Sequence, residues 1–393
     1  MNAVRQGEDH AAIESALATL AALFAGAGYA PVSTAHLFEA DTLIDLYGED
    51  IRGRAFLFPG GGGTGSGGGG ELCLRPDFTV PVVRAHGADG WDRAARYAYQ
   101  GPVFRRQDPG STRPMEFLQA GIENLGAPDA AEADAQVFTL IQEGLDAVGA
   151  GLVTVMTGDL GIAFALLDAL PMPARRRHRL RRHFWRPRRF HELIEEFVTG
   201  PAAPTPLRAR LIAAAGVDDA PGAIAAIAAE AGEPLGLREI DEIVARSRAL
   251  AEAAADPAMP AEQAELIETA LSITGPAGNA LARLRALAAE GGADLTPALD
   301  RFEARLTALD RAGVDAAALP FDAAFGRNLE YYEGFVFEIT AQGRPDLPPL
   351  AGGGRYDAMT RRLGAGRAVP AVGAMIRPEA VLAAQKSPAE AAR

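Results

Sequence analysis

Four short segments, far apart in the chain, stand out for side chains that could do chemistry. In the first, LRPDFTVPVVR (Leu74 to Arg84), Asp77 and Thr79 stand two residues apart. On a strand that spacing turns both to one face, where a carboxylate and a hydroxyl can hold an ammonium group. In the second, YQGPVFRR (Tyr99 to Arg106) is followed by FLQAGIE (Phe117 to Glu123). Arg105 ends one strand there, and Gln119 and Glu123 share a face of its partner strand. The third, FGRNLEYYEGFVF (Phe325 to Phe337), contributes Arg327 and the pair Tyr331 and Tyr332; the fourth, AGGGRYD (Ala351 to Asp357), reads as a turn that lets the backbone approach a ligand. Each segment alone has an ordinary explanation, as surface carboxylates beside arginines or as aromatic strand packing. Four in one chain point to a single site.

The elements that must position these residues follow from periodicity. Apolar residues recur at helical spacing from His10 to Ala27, and an extended entry follows over Ala30–Phe38. Short apolar runs at Ala55–Phe58 and Leu72–Leu74 flank Gly60–Gly70, which holds nine glycines but no Gly-Lys-Ser/Thr ending, so it reads as a flexible connection and not a phosphate loop. Ala94–Phe104 and Glu116–Glu123 read as an antiparallel pair around a polar loop, Asp129–Val148 as a helix and Leu152–Met156 as a strand. From Gly161 to Ala318 the chain turns to Ala, Leu, Glu and Arg with helical period, the pattern of an inserted helical domain between core parts 1–160 and 319–393. Strand character returns at Phe321–Phe325 and Tyr331–Ile339, and a last helix begins near Pro378.

Bulk composition narrows the function. The 393 residues, 48% hydrophobic, suffice for a large core plus a smaller domain. A net charge of −13 argues against general nucleic-acid binding, because phosphate attraction dominates that affinity. The exception is the run from Arg175 to Arg189, with nine arginines, two histidines and Trp185; a solvated helix face or a protein contact is the favoured reading there, and nucleic acid is not an expected partner. Cys73 is the only cysteine, so an internal disulfide or a cysteine zinc cage is excluded, and its apolar neighbours make it a buried strand thiol. The histidines form no metal-ligand motif. With neither a signal-peptide pattern nor a run of ~20 apolar residues, no membrane association and a cytoplasmic location are expected.

Taken together the segments resemble histidyl-tRNA synthetase, a class II synthetase. LRPDFTVPVVR is similar to that family's LRPEGTAPVVR, GPVFRRQ with EFLQAGIE to its motif 2, GRNLEYYEGFVFE to its histidine-binding RGLDYYTGTVFE, and GGGRYD matches its glycine turn. The likeness runs from about residue 10 to residue 382 and is weak through the helical stretch. It implies an α+β fold: a class II synthetase-like antiparallel sheet with flanking helices and a helical insertion. It also implies that Asp77 and Thr79 hold an amino group, that Gln119 and Glu123 complete the pocket, and that Tyr331 and Tyr332 line its side-chain end. Arg105 resembles the motif 2 arginine, and Arg327 the arginine that stands in for a metal at the reacting centre.

The sequence departs from a synthetase at Ala380, which stands where the family's motif 3 has its ATP-clamping arginine; Glu379 keeps its place. Asn328 replaces a glycine, and Asp77 is one methylene shorter than the family's glutamate. Only fourteen residues follow Glu379, where a synthetase carries an anticodon-binding domain. This combination resembles the regulatory subunits of ATP phosphoribosyltransferase. That resemblance implies a non-catalytic chain that binds L-histidine, needs no cofactor, and pairs with a short-form catalytic subunit in feedback control of histidine biosynthesis. It further implies a homodimer within a hetero-oligomer, pairing through a motif 1 segment within Ala30–Gly48. The competing expectation is an amino-acid-adenylating enzyme or truncated ligase, which the retained Arg105 and Arg327 favour and Ala380 opposes.

Overall fold

The computed structural model describes residues 5–47, 49–60, 70–108, 110–111, 113–200, 203–230, 239–326, 331–364 and 366–386. The chain divides into two compact units, one made of Met1–Ala169 with Thr269–Arg393, the other of Leu170–Glu268.

The first unit is built on β1 (Ala30–Pro31), β2 (Leu37–Glu39), β3 (Leu57–Pro59), β4 (Glu71–Leu74), β5 (Ala95–Phe104), β6 (Glu116–Leu125), β7 (Val153–Asp159), β8 (Thr274–Pro276), β9 (Pro320–Asp322), β10 (Phe335–Ala341), β11 (Ala351–Arg355) and β12 (Ala371–Ile376). Nine strands form one sheet in the order β1-β5-β6-β12-β11-β10-β7-β9-β8, and β2-β4-β3 form a small second sheet that buries Cys73. From β5 to β7 every pairing is antiparallel. The β5–β6 hairpin is in register from Ala95 opposite Leu125 to Phe104 opposite Glu116. This is the α+β, class II synthetase-like architecture expected from the sequence.

The helix Ala130–Ala147 covers the sheet with Ala133, Val137, Phe138, Ile141 and Leu145, the helical spacing that makes one apolar face. Asp129 caps it, its carboxylate accepting from the Glu132 amide at 3.0 Å. Gly144 lets helix, sheet and the helix Gly7–Gly26 close together: a Cβ there would lie 2.8 Å from Ile376 Cδ1 and 3.1 Å from Leu20 Cδ2.

One polar cluster runs through this apolar packing. Asp134 on the covering helix meets Arg355 of β11 at 2.7 Å and Arg305 of the helix Thr296–Arg311 at 3.6 Å. Arg305 reaches on to Asp159 at the end of β7 at 2.6 Å, and Arg355 to Asp357 at 3.0 Å. Asp134, Asp159, Arg305 and Arg355 are buried.

The compact helical unit, Leu170–Glu268, is shorter than the 161–318 stretch read from composition. The helices Leu160–Ala169, Ala277–Glu290 and Thr296–Arg311 belong to the sheet unit, where Arg305 and Phe302 are buried. Helical period does not reveal which surface a helix covers. The second unit keeps a small core of Ala214, Ala215, Ala220, Ile224 and Val244. Much of its arginine run is engaged within the unit: Arg175 pairs with Asp256, Arg179 with Glu196 at 3.3 Å, Arg189 with Glu192 at 3.0 Å, and buried Arg176 lies 4.9 Å over the Phe197 ring. This pattern fits a helix face built from its own ion pairs.

Three local expectations change. Thr79 opens a helix, Thr79–Asp89, so Asp77 and Thr79 do not alternate along a strand. The glycine cluster is strand β11 and not a turn, and Tyr331 and Tyr332 precede β10. Most of the glycine-rich connection, 61–69, lies outside the described residues. No helix among the described residues is long and apolar enough to cross a membrane.

Removing Asp134 leaves two buried guanidiniums without their shared carboxylate. Asp134→Ala is expected to cost about 3–5 kcal/mol of stability, read as a lower urea midpoint.

Candidate functional site

The site forms where β5, β6 and β12 lie side by side. β6 places Gln119, Gly121 and Glu123 on one face, and Glu123 sits opposite Tyr97 of β5 and Gly373 of β12. A Cβ on Gly373 would fall 1.6 Å from Glu123 Oε2, so the carboxyl occupies the space a side chain would take. Gly121 does the same for Tyr99, whose hydroxyl would lie 2.6 Å from an added Cβ.

Glu123 is 1% exposed. Thr79 Oγ1 donates to its Oε1 at 2.8 Å, and the Tyr356 hydroxyl donates to Oε2. Burial pushes this carboxyl up from the ordinary 4.5 to about 8; the Tyr356 and Thr79 hydrogen bonds oppose the shift and neighbouring Asp77 reinforces it. The buried group therefore keeps its proton to higher pH than an exposed glutamate does.

The start of the Thr79 helix is held by a stack. The Arg75 guanidinium lies 4.0 Å from the centre of the Phe78 ring, and Phe78 stacks on Tyr99 at 4.4 Å and 9°. Arg75 donates to the Pro102 and Thr34 carbonyls at 2.8 and 2.7 Å, which ties this turn to β5 and to the segment before β2. Asp77 then turns back to accept from the Val80 amide at 3.4 Å. On the other side the Tyr331 hydroxyl reaches Thr79 Oγ1 and the Tyr332 hydroxyl, each at 3.5 Å, and its ring lies edge-on to Tyr356 at 5.8 Å.

Asp77, Thr79, Arg105, Gln119, Tyr331 and Tyr332 line one small cavity with Tyr99 and the glycine backbones of β11 and β12. Glu123 lies beneath it, bonded to Thr79. Six of the eight residues singled out from sequence thus line one space and a seventh supports it. Arg327 lies outside the described residues. Sequence reasoning passed over Arg75, Tyr99, Tyr356 and Gly373. The first three lie in the quoted segments but look like packing residues, and a glycine within a strand is itself a signal of close approach.

The inner cavity measures only ≈ 20 Å³, against the roughly 10–15 Å³ that one water requires. The side chains close on one another in this conformation. Beside it opens a second cavity of ≈ 440 Å³, and Arg105 lines both. Among the described residues no three His, Cys, Asp or Glu side chains group as metal ligands do.

The sequence profile of histidyl-tRNA synthetase matches residues 5–246 and 220–381. The chain is 38% identical over 342 residues to the ATP phosphoribosyltransferase regulatory subunit of Brucella anthropi, covering 85% of this chain and 87% of that one. To the protein of the same name from Brucella canis it is 37% identical over 338 residues, with the same coverage. The chain belongs to the ATP phosphoribosyltransferase regulatory subunit family. At the level of fold, a Bacillus halodurans structure described as an ATP phosphoribosyltransferase regulatory subunit/histidyl-tRNA synthetase superposes with a TM-score of 0.68 at 22% identity, over 98% of this chain and 82% of the other. A histidine–tRNA ligase subunit from Alicyclobacillus acidocaldarius gives 0.58 at 23% identity, covering 98% of each chain.

In this family member the larger cavity contains Glu379 and Ala380 side by side. Glu379 is taken up by the Leu118 amide at 2.8 Å and by Arg5, and Ala380 is buried, offering no charge where a synthetase has its motif 3 arginine.

Two outcomes follow for the inner site. Gly373→Ala must displace Glu123, and is expected to destabilise the protein by about 1–3 kcal/mol or more, measured by urea unfolding. For Glu123 the pKa is raised on folding, so its contribution is complete below about pH 4.5 and is lost as pH rises towards 8. Thermal melts from pH 5 to pH 8.5 are expected to show Glu123→Gln gaining on the parent protein as pH rises, and a constant difference would refute the buried proton.

Proposed function

We propose that this chain is a non-catalytic regulatory subunit that binds L-histidine in the inner pocket and relays its occupancy to a separate, short-form catalytic ATP phosphoribosyltransferase, in feedback control of histidine biosynthesis. The observation that carries the reading is the convergence of Asp77, Thr79, Gln119, Tyr331 and Tyr332 above a buried Glu123, in a chain whose relatives bear the regulatory-subunit name. The closed pocket adds a physical reason for signalling. Histidine needs more room than this pocket offers, so its lining side chains must move on binding and bound and free forms differ in packing. A ligand that favours one of two packings shifts their populations, and couplings of this kind typically amount to ~1–3 kcal/mol.

The chemistry of recognition follows from Glu123. An ammonium group brought towards the pocket floor favours the carboxylate form, so the proton held there leaves as the ligand binds. The two tyrosine hydroxyls can donate to or accept from an imidazole. In the assembly a homodimer of this chain, joined through the 30–48 segment, is the arrangement the synthetase resemblance implies, with the protein acting in the cytoplasm.

Arg105 in both cavities favours one rival, an enzyme that adenylates an amino acid. Ala380 weighs against it, since a missing positive clamp removes transition-state stabilisation. ATP–pyrophosphate exchange with histidine separates the two. No exchange, together with calorimetric histidine binding and histidine-dependent inhibition of a catalytic subunit, is the expected result. Robust exchange would establish the rival.

Calorimetry at pH 7 in buffers of different ionisation enthalpy is expected to reveal release of up to about one proton per histidine bound, and Glu123→Gln to abolish that release while weakening binding. Heats independent of buffer would remove Glu123 from the binding step.

A further inference from the structure

Arg75 is a buried cation without a counter-charge. It is 3% exposed, and among the described residues no carboxylate pairs with it. Burial alone pulls its pKa down to about 10, so the group remains a cation at neutral pH. An unpaired charge inside a protein is costly, and an apolar side chain of similar volume is often the more stable choice. What the guanidinium adds is direction.

Its flat face and its edge act on different elements. The face lies on the Phe78 ring, which stacks in turn on Tyr99. At the edge, Nε donates to the Pro102 carbonyl of β5 at 2.8 Å, and Nη1 donates to the carbonyl and hydroxyl of Thr34 at 2.7 and 3.1 Å. A planar fork makes both kinds of contact at once, which an ammonium group cannot. The backbone adds two bonds, Arg75 N to His36 O at 2.8 Å and Phe104 N to Arg75 O at 3.0 Å. Gly101 leaves the space: a Cβ there would lie 2.9 Å from Nη2 and 3.4 Å from the end of the Phe78 ring. Phe78 stands at the cap position of the helix Thr79–Asp89 and offers no capping oxygen, so the stack contributes what a cap would. Asp77, Thr79 and Tyr99 line the inner pocket, whereas neither Arg75 nor Phe78 does.

We propose that Arg75 is a positioning residue of the inner pocket: through Phe78 it fixes the placement of Asp77, Thr79 and Tyr99, and so sets the affinity for the amino acid without touching it. This rests on the histidine reading above.

Calorimetric titration of the full chain with histidine, well below the melting temperature of every variant, tests it. Arg75→Lys keeps the charge and loses the flat fork; Phe78→Leu keeps an apolar side chain and loses both ring contacts. Each is expected to weaken histidine binding by about tenfold or more, the scale on which loss of an outer support is felt at a site. The double variant Arg75→Lys/Phe78→Leu is expected to bind no more weakly than the weaker single variant, because the two residues act as one unit. Should Arg75→Lys fail to fold, Gly101→Ala crowds Nη2 while leaving Arg75 and Phe78 in the sequence, and takes its place in both comparisons. A residue that only stabilised the fold would lower the melting temperature on substitution and leave the histidine affinity of the folded protein unchanged. That result would overturn the proposal, as would losses that simply add in the double variant. Absence of histidine heat from the parent protein, by contrast, would remove the histidine reading itself and this proposal with it.

Discussion

A carboxyl group buried in the middle of a sheet sets the terms for everything around it. Glu123 is almost inaccessible to solvent, and an isolated ionised carboxylate there would be prohibitively costly. The structure meets this in two ways. It keeps the proton on the group to higher pH than usual, and it surrounds it with hydroxyls from Thr79 and Tyr356. Those partners come from a helix start and from the end of β11, more than two hundred residues apart in sequence. The position of Glu123 thus constrains the register of β6, the missing side chain at residue 373, and the turn that delivers Thr79.

Space is the complementary constraint. β11 and β12 bring glycine to the site at residues 352, 353, 354 and 373, and at Gly353 and Gly354 an added Cβ would strike Ala374 or Tyr332. Glycine weakens an isolated strand. Here the loss is offset because each glycine strand is paired on both sides, and because Arg355 at the end of β11 is anchored by Asp134. The ion cluster under the covering helix therefore supports the site from behind, by fixing the strand on which its roof depends.

The two cavities divide the chemistry unequally. The inner one is lined by tyrosine, threonine and carboxyl groups and is closed by contacts among them; the outer one is wide and cationic. Arg105 belongs to both. The inner cavity admits nothing much larger than water unless its lining side chains move apart.

The antiparallel hairpin around Arg105, the covering helix and six of the residues lining the inner pocket were legible in the sequence. Each rests on local information: alternation along β5 and β6, helical spacing over 130–147, and short runs whose side chains match a known family. The start of the Thr79 helix was not legible, since Val80, Val82 and Val83 favour a strand and the helix is fixed by the Arg75–Phe78–Tyr99 stack, a tertiary contact. Nor was the strand character of the glycine run, which comes from pairing on both edges. The boundaries of the helical unit depend on which helices bury a face on the sheet, and similar alanine-rich periods occur on both sides of them. The raised affinity of Glu123 for its proton, and the closure of the pocket above it, exist only when segments distant in sequence remove water from one point, so the tertiary structure alone decided them.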